Sequence, residues 1–190
     1  MRLSISPNQA RNCHRVLLRD GTTLEVRPIC PEDEPLLAAF HFTLSEESVY
    51  SRYFAFLDIA SRINHERLTK QCSIDYDRDM AYVALMPGEA DPATGERSPG
   101  RIVGVGRIAE SDGSGVAEIA VIVSDAFQHH GIGSTLVRYL IDFAREKRFV
   151  GLKATLLPEN GTMRQLLEHE GFTFLLDEND EVMKGQKLLK

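Results

Sequence analysis

The sequence predicts an α/β (α+β) fold, a mixed and mostly antiparallel central sheet flanked by helices. Three observations carry that prediction. Residues 79–86, 101–109 and 116–124 are apolar strand-like runs joined by loop sequences, which makes an antiparallel meander. The segment from Gly131 to Lys147 places Ile132, Leu136, Val137, Leu140, Ile141 and Ala144 on one helical face. Val150 to Leu157 then reads as another strand, so strand, helix and strand form a crossover whose strands pair in parallel.

The elements follow in order. Residues 1–14 read as a flexible tail, with a single domain over 15–190. Val16–Arg19 and Thr23–Arg27 flank Asp20-Gly21, a hairpin signature. Proline and acids over 31–35 open a helix carrying Leu36, Leu37, Phe40 and Leu44, with Asp33 as its cap. Ser45 caps a second helix through Tyr53. A third covers Ser61 to Gln71. Prolines and glycines between Pro87 and Gly100 make a long loop. The run 116–124 carries apolar residues on both faces, as expected of a central covered strand. A helix from Asn160 to Glu170 stops at Gly171, and 172–176 with 181–189 form a closing hairpin.

Composition narrows the function. The 190 residues are 43% apolar and 26% charged, with net charge −6, which fits a globular domain and disfavours nucleic acid. No apolar run approaches the ~20 residues that span a bilayer, and residues 1–15 lack a signal-peptide core. Cys13, Cys30 and Cys72 are odd in number and without ligand spacing, so the expectation is free thiols in the cytoplasm. The His129-His130 pair diverges and has no clustered partners, so no metal is expected.

The chemistry centres on Gln128-His129-His130-Gly131-Ile132-Gly133, between strand and helix. A glycine-rich turn at a helix N-terminus aims backbone N–H groups at one point and suits a phosphate or pyrophosphate. A P-loop requires a Lys that Ser134-Thr135 do not supply, and a dinucleotide fingerprint requires a third glycine where Leu136 stands. Gly131 and Gly133 allow close approach of the backbone. Gln128 and His129 open the turn, and Ser134 adds a hydroxyl.

Glu118 stands in Ala117-Glu118-Ile119-Ala120-Val121-Ile122-Val123, where its neighbours are apolar. A buried glutamate there would have a raised pKa and serve as a base; the bland alternative is that it begins the strand at a wet end. Removing a proton from a lysine of pKa ~10.4 near pH 7 costs about 4–5 kcal/mol, so amine acylation needs such a base. A strand N–H near Val121 would polarise a thioester carbonyl.

The Gln-x-x-Gly-x-Gly turn after this strand resembles that of the GNAT acetyltransferases. Leu157-Pro158-Glu159-Asn160-x-x-Met163 and the later Gly171-Phe172 are similar to the family's downstream segment, and the likeness spans about Leu17 to Leu189. It implies acetyl-CoA as cosubstrate. It also implies a splayed parallel strand pair, with the pantetheine arm along Val121, Ile122 and Val123 and the pyrophosphate on Gln128, His129, Gly131, Ile132, Gly133 and Ser134. Asn160 would touch the same arm, cap a helix, or do both. A glutamate at the position of Glu118 resembles the catalytic base of bacterial protein lysine acetyltransferases. The family's tyrosine acid is replaced by Leu167, a departure typical of that branch. Arg27 to Leu37 and Leu44 to Phe54 are similar to the domain often fused to acyl-CoA synthetase-like proteins, which implies a protein lysine acceptor such as an acyl-CoA synthetase-like enzyme. Within these segments Val49, Tyr50, Tyr53 and Phe54 read as helix core; Arg52 pairs with a carboxylate or lines the acceptor groove. Asp75, Asp77, Asp79 and the turn Asp177–Glu181 are either an acidic rim that attracts lysine or solvated loops. The rival functions are acetylation of a small amine and a non-catalytic acyl-CoA-sensing module.

Overall fold

The computed structural model describes residues 13–18, 20–74, 79–88, 94, 98, 100–110, 113–179 and 181–189. Among them, eight strands form one sheet: β1 His14–Leu17, β2 Thr23–Pro28, β3 Asp79–Met86, β4 Arg101–Glu110, β5 Val116–Val123, β6 Gly151–Leu156, β7 Thr173–Asp177 and β8 Val182–Leu188. Their order is β1-β2-β3-β4-β5-β6-β8-β7, and every pairing is antiparallel except β5 with β6. The helices are α1 Glu34–His41, α2 Glu46–Tyr53, α3 Ile59–Arg62, α4 His65–Cys72, α5 Ile132–Glu146 and α6 Gly161–His169. Residues 1–12 of the expected tail 1–14, residues 89–93, 95–97 and 99 of the expected loop, and Asp75, Asp77 and Asp180 lie outside the described residues, and His14 opens β1 instead of closing the tail.

Strand alternation explains the two layers. Met80, Tyr82 and Ala84 of β3 point into the core under α5, while Ala81, Val83 and Leu85 point into the core under α1, α2 and α4. β3 is therefore apolar on both faces, as a covered central strand must be. The α5 stripe of Leu136, Val137, Leu140, Ile141 and Ala144 is buried against the sheet. Gly104 and Gly106 of β4 make that packing close: a Cβ on Gly104 would stand 3.0 Å from Ile132 Cγ2, and one on Gly106 would stand 3.2 Å from Leu136 Cβ. Fully burying each large α5 side chain stabilises by roughly 1.5–3 kcal/mol, so packing fixes where the helix begins.

Three local expectations are corrected. The helix expected over 61–71 is two helices. Asp58 caps α3 by accepting from Ser61 N–H at 2.7 Å, and Asn64 caps α4 by accepting from Arg67 N–H at 3.3 Å. Asn64 competes for the backbone and breaks the run. Asp33 does not cap α1 with its side chain; it reaches back to the Cys30 N–H at 2.9 Å and takes a bidentate bond from Arg27 at 2.6 and 2.7 Å. Burial alone would raise the Asp33 carboxyl, but these donors hold it below the ordinary carboxylate range. β5 is not covered on both faces, because Glu118 is exposed.

Candidate active site

The site is built where β5 parts from β6. Their parallel pairing covers Val116–Gly151, Ala117–Leu152 and Glu118–Lys153, and goes no further. β5 continues against β4 as far as Val123 opposite Gly104, while β6 continues against β8 as far as Leu156 opposite Met183. A seam therefore opens inside the sheet beyond Glu118, with Val121, Ile122 and Val123 along one wall. Over this stretch β5 lacks β6 as a ladder partner, so main-chain groups facing the seam can meet a ligand's amides.

After Val123 the chain turns through Ser124 and a 3-10 turn, Asp125–Phe127. Gln128 is extended, while His129 and Gly131 both adopt positive φ, 64° and 89°. The α5 ladder starts with Thr135 N–H donating to Gly131 C=O at 3.0 Å. The N–H groups of Ile132, Gly133 and Ser134 thus belong to the open first turn, which attracts anions. At Gly131 an added Cβ meets nothing within 4 Å, so this glycine is needed for its backbone angle. At Gly133 an added Cβ would stand 3.3 Å from Leu166 Cδ1, so that glycine is needed by α6 packing. These two reasons stand beside the close backbone approach to a ligand that the sequence leads one to expect of both glycines.

Contacts invisible in the sequence hold the turn. Asp125 accepts from the Ser45 N–H at 2.9 Å, the Ser45 hydroxyl at 2.6 Å and the Ser48 hydroxyl at 2.9 Å. Burial pulls the Asp125 carboxyl up, but these donors hold it below its usual range. Gln128 Nε2 donates to Ser48 Oγ at 3.0 Å and to Val123 O at 3.4 Å. His129 is exposed, and His130 Nδ1 lies 2.7 Å from Gln128 O. Asn160 accepts from Met163 N–H at 3.2 Å, so it is the α6 cap, one of its two expected roles. Ser134 is half-buried, and it is the Thr135 hydroxyl that bonds the turn, donating to Gly131 O at 3.1 Å.

Glu118 sits at the last paired position, at the mouth of the seam. The reading of it as buried is wrong, and the argument from a burial-raised pKa falls with it. Both ladder neighbours, Ala109 and Lys153, are in place, so what is open is the sheet face that bears the Glu118 side chain, while Ala117 and Ile119 on the opposite face are buried. Glu118 Oε1 accepts from the Thr155 hydroxyl at 3.3 Å. Arg107 of β4 faces Ala120, one diagonal step from Glu118 on the same face, about 7–8 Å between such neighbours. Sequence reasoning missed Arg107, although a charged residue inside Ile-Val-Gly-Val-Gly-Arg-Ile-Ala carried the same signal that drew attention to Glu118. Arg52 of α2 lies within electrostatic reach of Glu118. No group of three or more His, Cys, Asp and Glu suited to a metal occurs among the described residues.

An anion-attracting helix start, a seam of main-chain groups and a carboxylate at its mouth suit an enzyme that takes a phosphate-bearing cosubstrate. The chain belongs to the acetyltransferase (GNAT) family, which residues 50–172 match. It is 31% identical over 171 residues to an acetyltransferase of Pseudomonas aeruginosa, covering 90% of this chain and 86% of that one. In structure it is similar to the GNAT domain of S. lividans PAT, at TM-score 0.78 and 26% identity, covering 93% of this chain and 97% of that one. A cAMP-binding acyltransferase from Mycobacterium smegmatis shares the fold at TM-score 0.58 and 23% identity; the match takes 94% of this chain and 48% of that one. The protein is therefore an acetyl-CoA-dependent N-acetyltransferase of GNAT fold.

Proposed function

We propose that the chain transfers the acetyl group of acetyl-CoA to a protein lysine side chain, by direct attack, with Glu118 as general base. The observation that carries this reading is the end of β5–β6 pairing at Glu118, which sets that carboxylate beside the seam. Val121, Ile122 and Val123 line the pantetheine arm. Gln128, His129, Gly131, Ile132, Gly133 and Ser134 surround the pyrophosphate, and Asn160 borders the arm while capping α6. An acceptor such as an acyl-CoA synthetase-like enzyme is supported by the resemblance of residues 27–37 and 44–54. We place the enzyme in the cytoplasm, as a single domain over residues 15–190 with a tail before it; among the described residues no helix is long and apolar enough to cross a membrane.

The proton leaves the ammonium for Glu118, directly or through water, which an exposed carboxylate accommodates. The neutral nitrogen attacks the thioester carbonyl, a strand N–H near Val121 steadies the oxyanion, the C–S bond breaks, the nitrogen sheds its second proton to solvent to leave the amide, and the thiolate takes a proton from solvent. Leu167 is buried and supplies no acid.

The test is thiol release from acetyl-CoA with a panel of proteins, lysine peptides and small amines. Protein and peptide turnover is expected. Turnover confined to small amines would transfer the reading to a small-amine acetyltransferase, and CoA binding without any turnover would make the chain a sensor. Glu118→Gln is expected to keep CoA affinity and lose ~100-fold or more in turnover; undiminished turnover would remove Glu118 from its role.

A further inference from the structure

Next to Glu118, on the same face of the sheet, lies a cleft of about 530 Å³ whose lining includes Arg52, Arg67, Lys70 and Arg107 against one carboxylate, Glu66. The charges are poorly matched. Lys70 Nζ pairs with Glu66 at 2.8 Å. Arg107 donates to a neutral acceptor, the Gln71 carbonyl, at 3.2 Å. Arg67 Nε is buried without a hydrogen-bond partner among the described residues. Arg52 and Arg67 both stack on the Tyr53 ring, each 5.0 Å from its centroid, and Arg52 makes no ion pair or hydrogen bond with any described residue. Burial first, and then the Arg52 charge, push the Arg107 guanidinium below its usual range; Asp79 acts in the opposite direction. Like charges held this close in a half-dry recess favour an anion, and guanidinium forks fit a carboxylate.

The diphosphate is not that anion. It belongs at the start of α5, beyond Val123, and five strand residues at ~3.4 Å each put that point about 17 Å along β5 from Glu118. The cleft lies at the acceptor end.

We propose that this cleft binds a carboxylate carried by the acceptor beside its reactive amine, and so selects lysines with acidic neighbours. The inference rests on the acetyl-transfer reading with Glu118 at the acceptor end. It reverses the charge pattern expected of an acidic rim. The rim residues that are described include Asp177, which pairs with Lys184 at 2.5 Å, and Asp79.

The experiment compares kcat/KM for lysine peptides flanked by aspartate, alanine or arginine, together with free lysine and its α-amide, in the wild type and in Arg67→Gln and Lys70→Gln. The aspartate peptide is expected to exceed the alanine peptide about tenfold or more, as a charge-assisted pair warrants. That ratio is expected to fall toward one in either variant and in high salt, with CoA affinity by calorimetry unmoved. Lys70 is exposed, so Lys70→Gln tests the idea even if Arg67→Gln fails to fold. A preference for free lysine over its α-amide supports the same carboxylate site with a small acceptor as source. Equal rates for aspartate and alanine peptides, or a loss of CoA affinity in the variants, overturns the proposal while leaving acetyl transfer intact. If no peptide is acetylated, the functional reading fails by itself. The cleft is then tested by fluorescence anisotropy of the labelled aspartate peptide: binding lost in the variants supports it, and binding equal to the alanine peptide's overturns it.

Discussion

On the α5 side of the sheet, the proposed donor end is made of main chain: an open helix turn, Gly131 at positive φ and the stretch of β5 that β6 leaves. On the α1–α4 side, the proposed acceptor end is made of long side chains, with Arg52, Arg67 and Arg107 lining one cleft beside Glu118. Backbone groups present one fixed pattern whatever residues carry them, which suits a cosubstrate that never changes. Charged side chains are replaceable one at a time, so in the proposed reading specificity is set at the acceptor end. The same contrast runs into stability. The α5 layer rests on apolar burial, whereas the α1–α4 layer encloses the Arg27–Asp33 pair, His41 and Arg62.

That contrast can be broken most forcefully at Arg27. Asp33 is 2% exposed, and removing its guanidinium leaves a buried charge, so Arg27→Ala is expected to cost about 3–5 kcal/mol in urea unfolding. A loss below 1 kcal/mol would show that the acceptor layer does not depend on this pair.

Acid comes next. His41 is 1% exposed, both ring nitrogens lack hydrogen-bond partners among the described residues, and burial followed by the Arg62 and Arg67 charges pushes it down to about 4. Its unfolded value is near 6.5, so below that pH the unfolded chain takes up a proton that the folded chain refuses. Stability attributable to His41 is therefore complete above pH 6.5 and is lost as pH falls to 4, by roughly 3 kcal/mol in all. His41→Leu should flatten unfolding free energy across that window; an unchanged slope would assign the acid sensitivity elsewhere.

Gly131→Val probes the donor end. A β-branched residue at φ 89° is strained, and CoA affinity by calorimetry is expected to drop about tenfold or more. Full affinity would dissociate the turn from the donor. The smallest effect sharpens the link between the two ends. Asp125→Ala and Ser48→Ala in a double-mutant cycle are expected to show about 1 kcal/mol of coupling, measured by denaturation, and strict additivity would mean that the Asp125–Ser48 hydrogen bond carries no energy.

The donor end was legible because its signals are local. The 3.6-residue stripe of α5, the turn that precedes it and the Asn160 cap lie close together in the chain. The acceptor end was not. Glu118 reads as buried because its neighbours are apolar, whereas its exposure depends on how far the helix layer extends over its face of the sheet, which no local window shows. Asp125 meets Ser48 across 77 residues, which no window reveals. Arg52, Arg67 and Arg107 come from two helices and a strand, and their convergence exists only after folding. The break comes at Asn64, a capping residue inside the run expected as one helix, and its bond to the Arg67 N–H is what separates the two helices.

The unpaired reach of β5 makes this sheet thermally responsive. A donor bound in the seam to the folded chain alone, at 100 times its dissociation constant, adds about 2.7 kcal/mol of stability. The melting temperature of this protein therefore doubles as a gauge of how much thioester surrounds it.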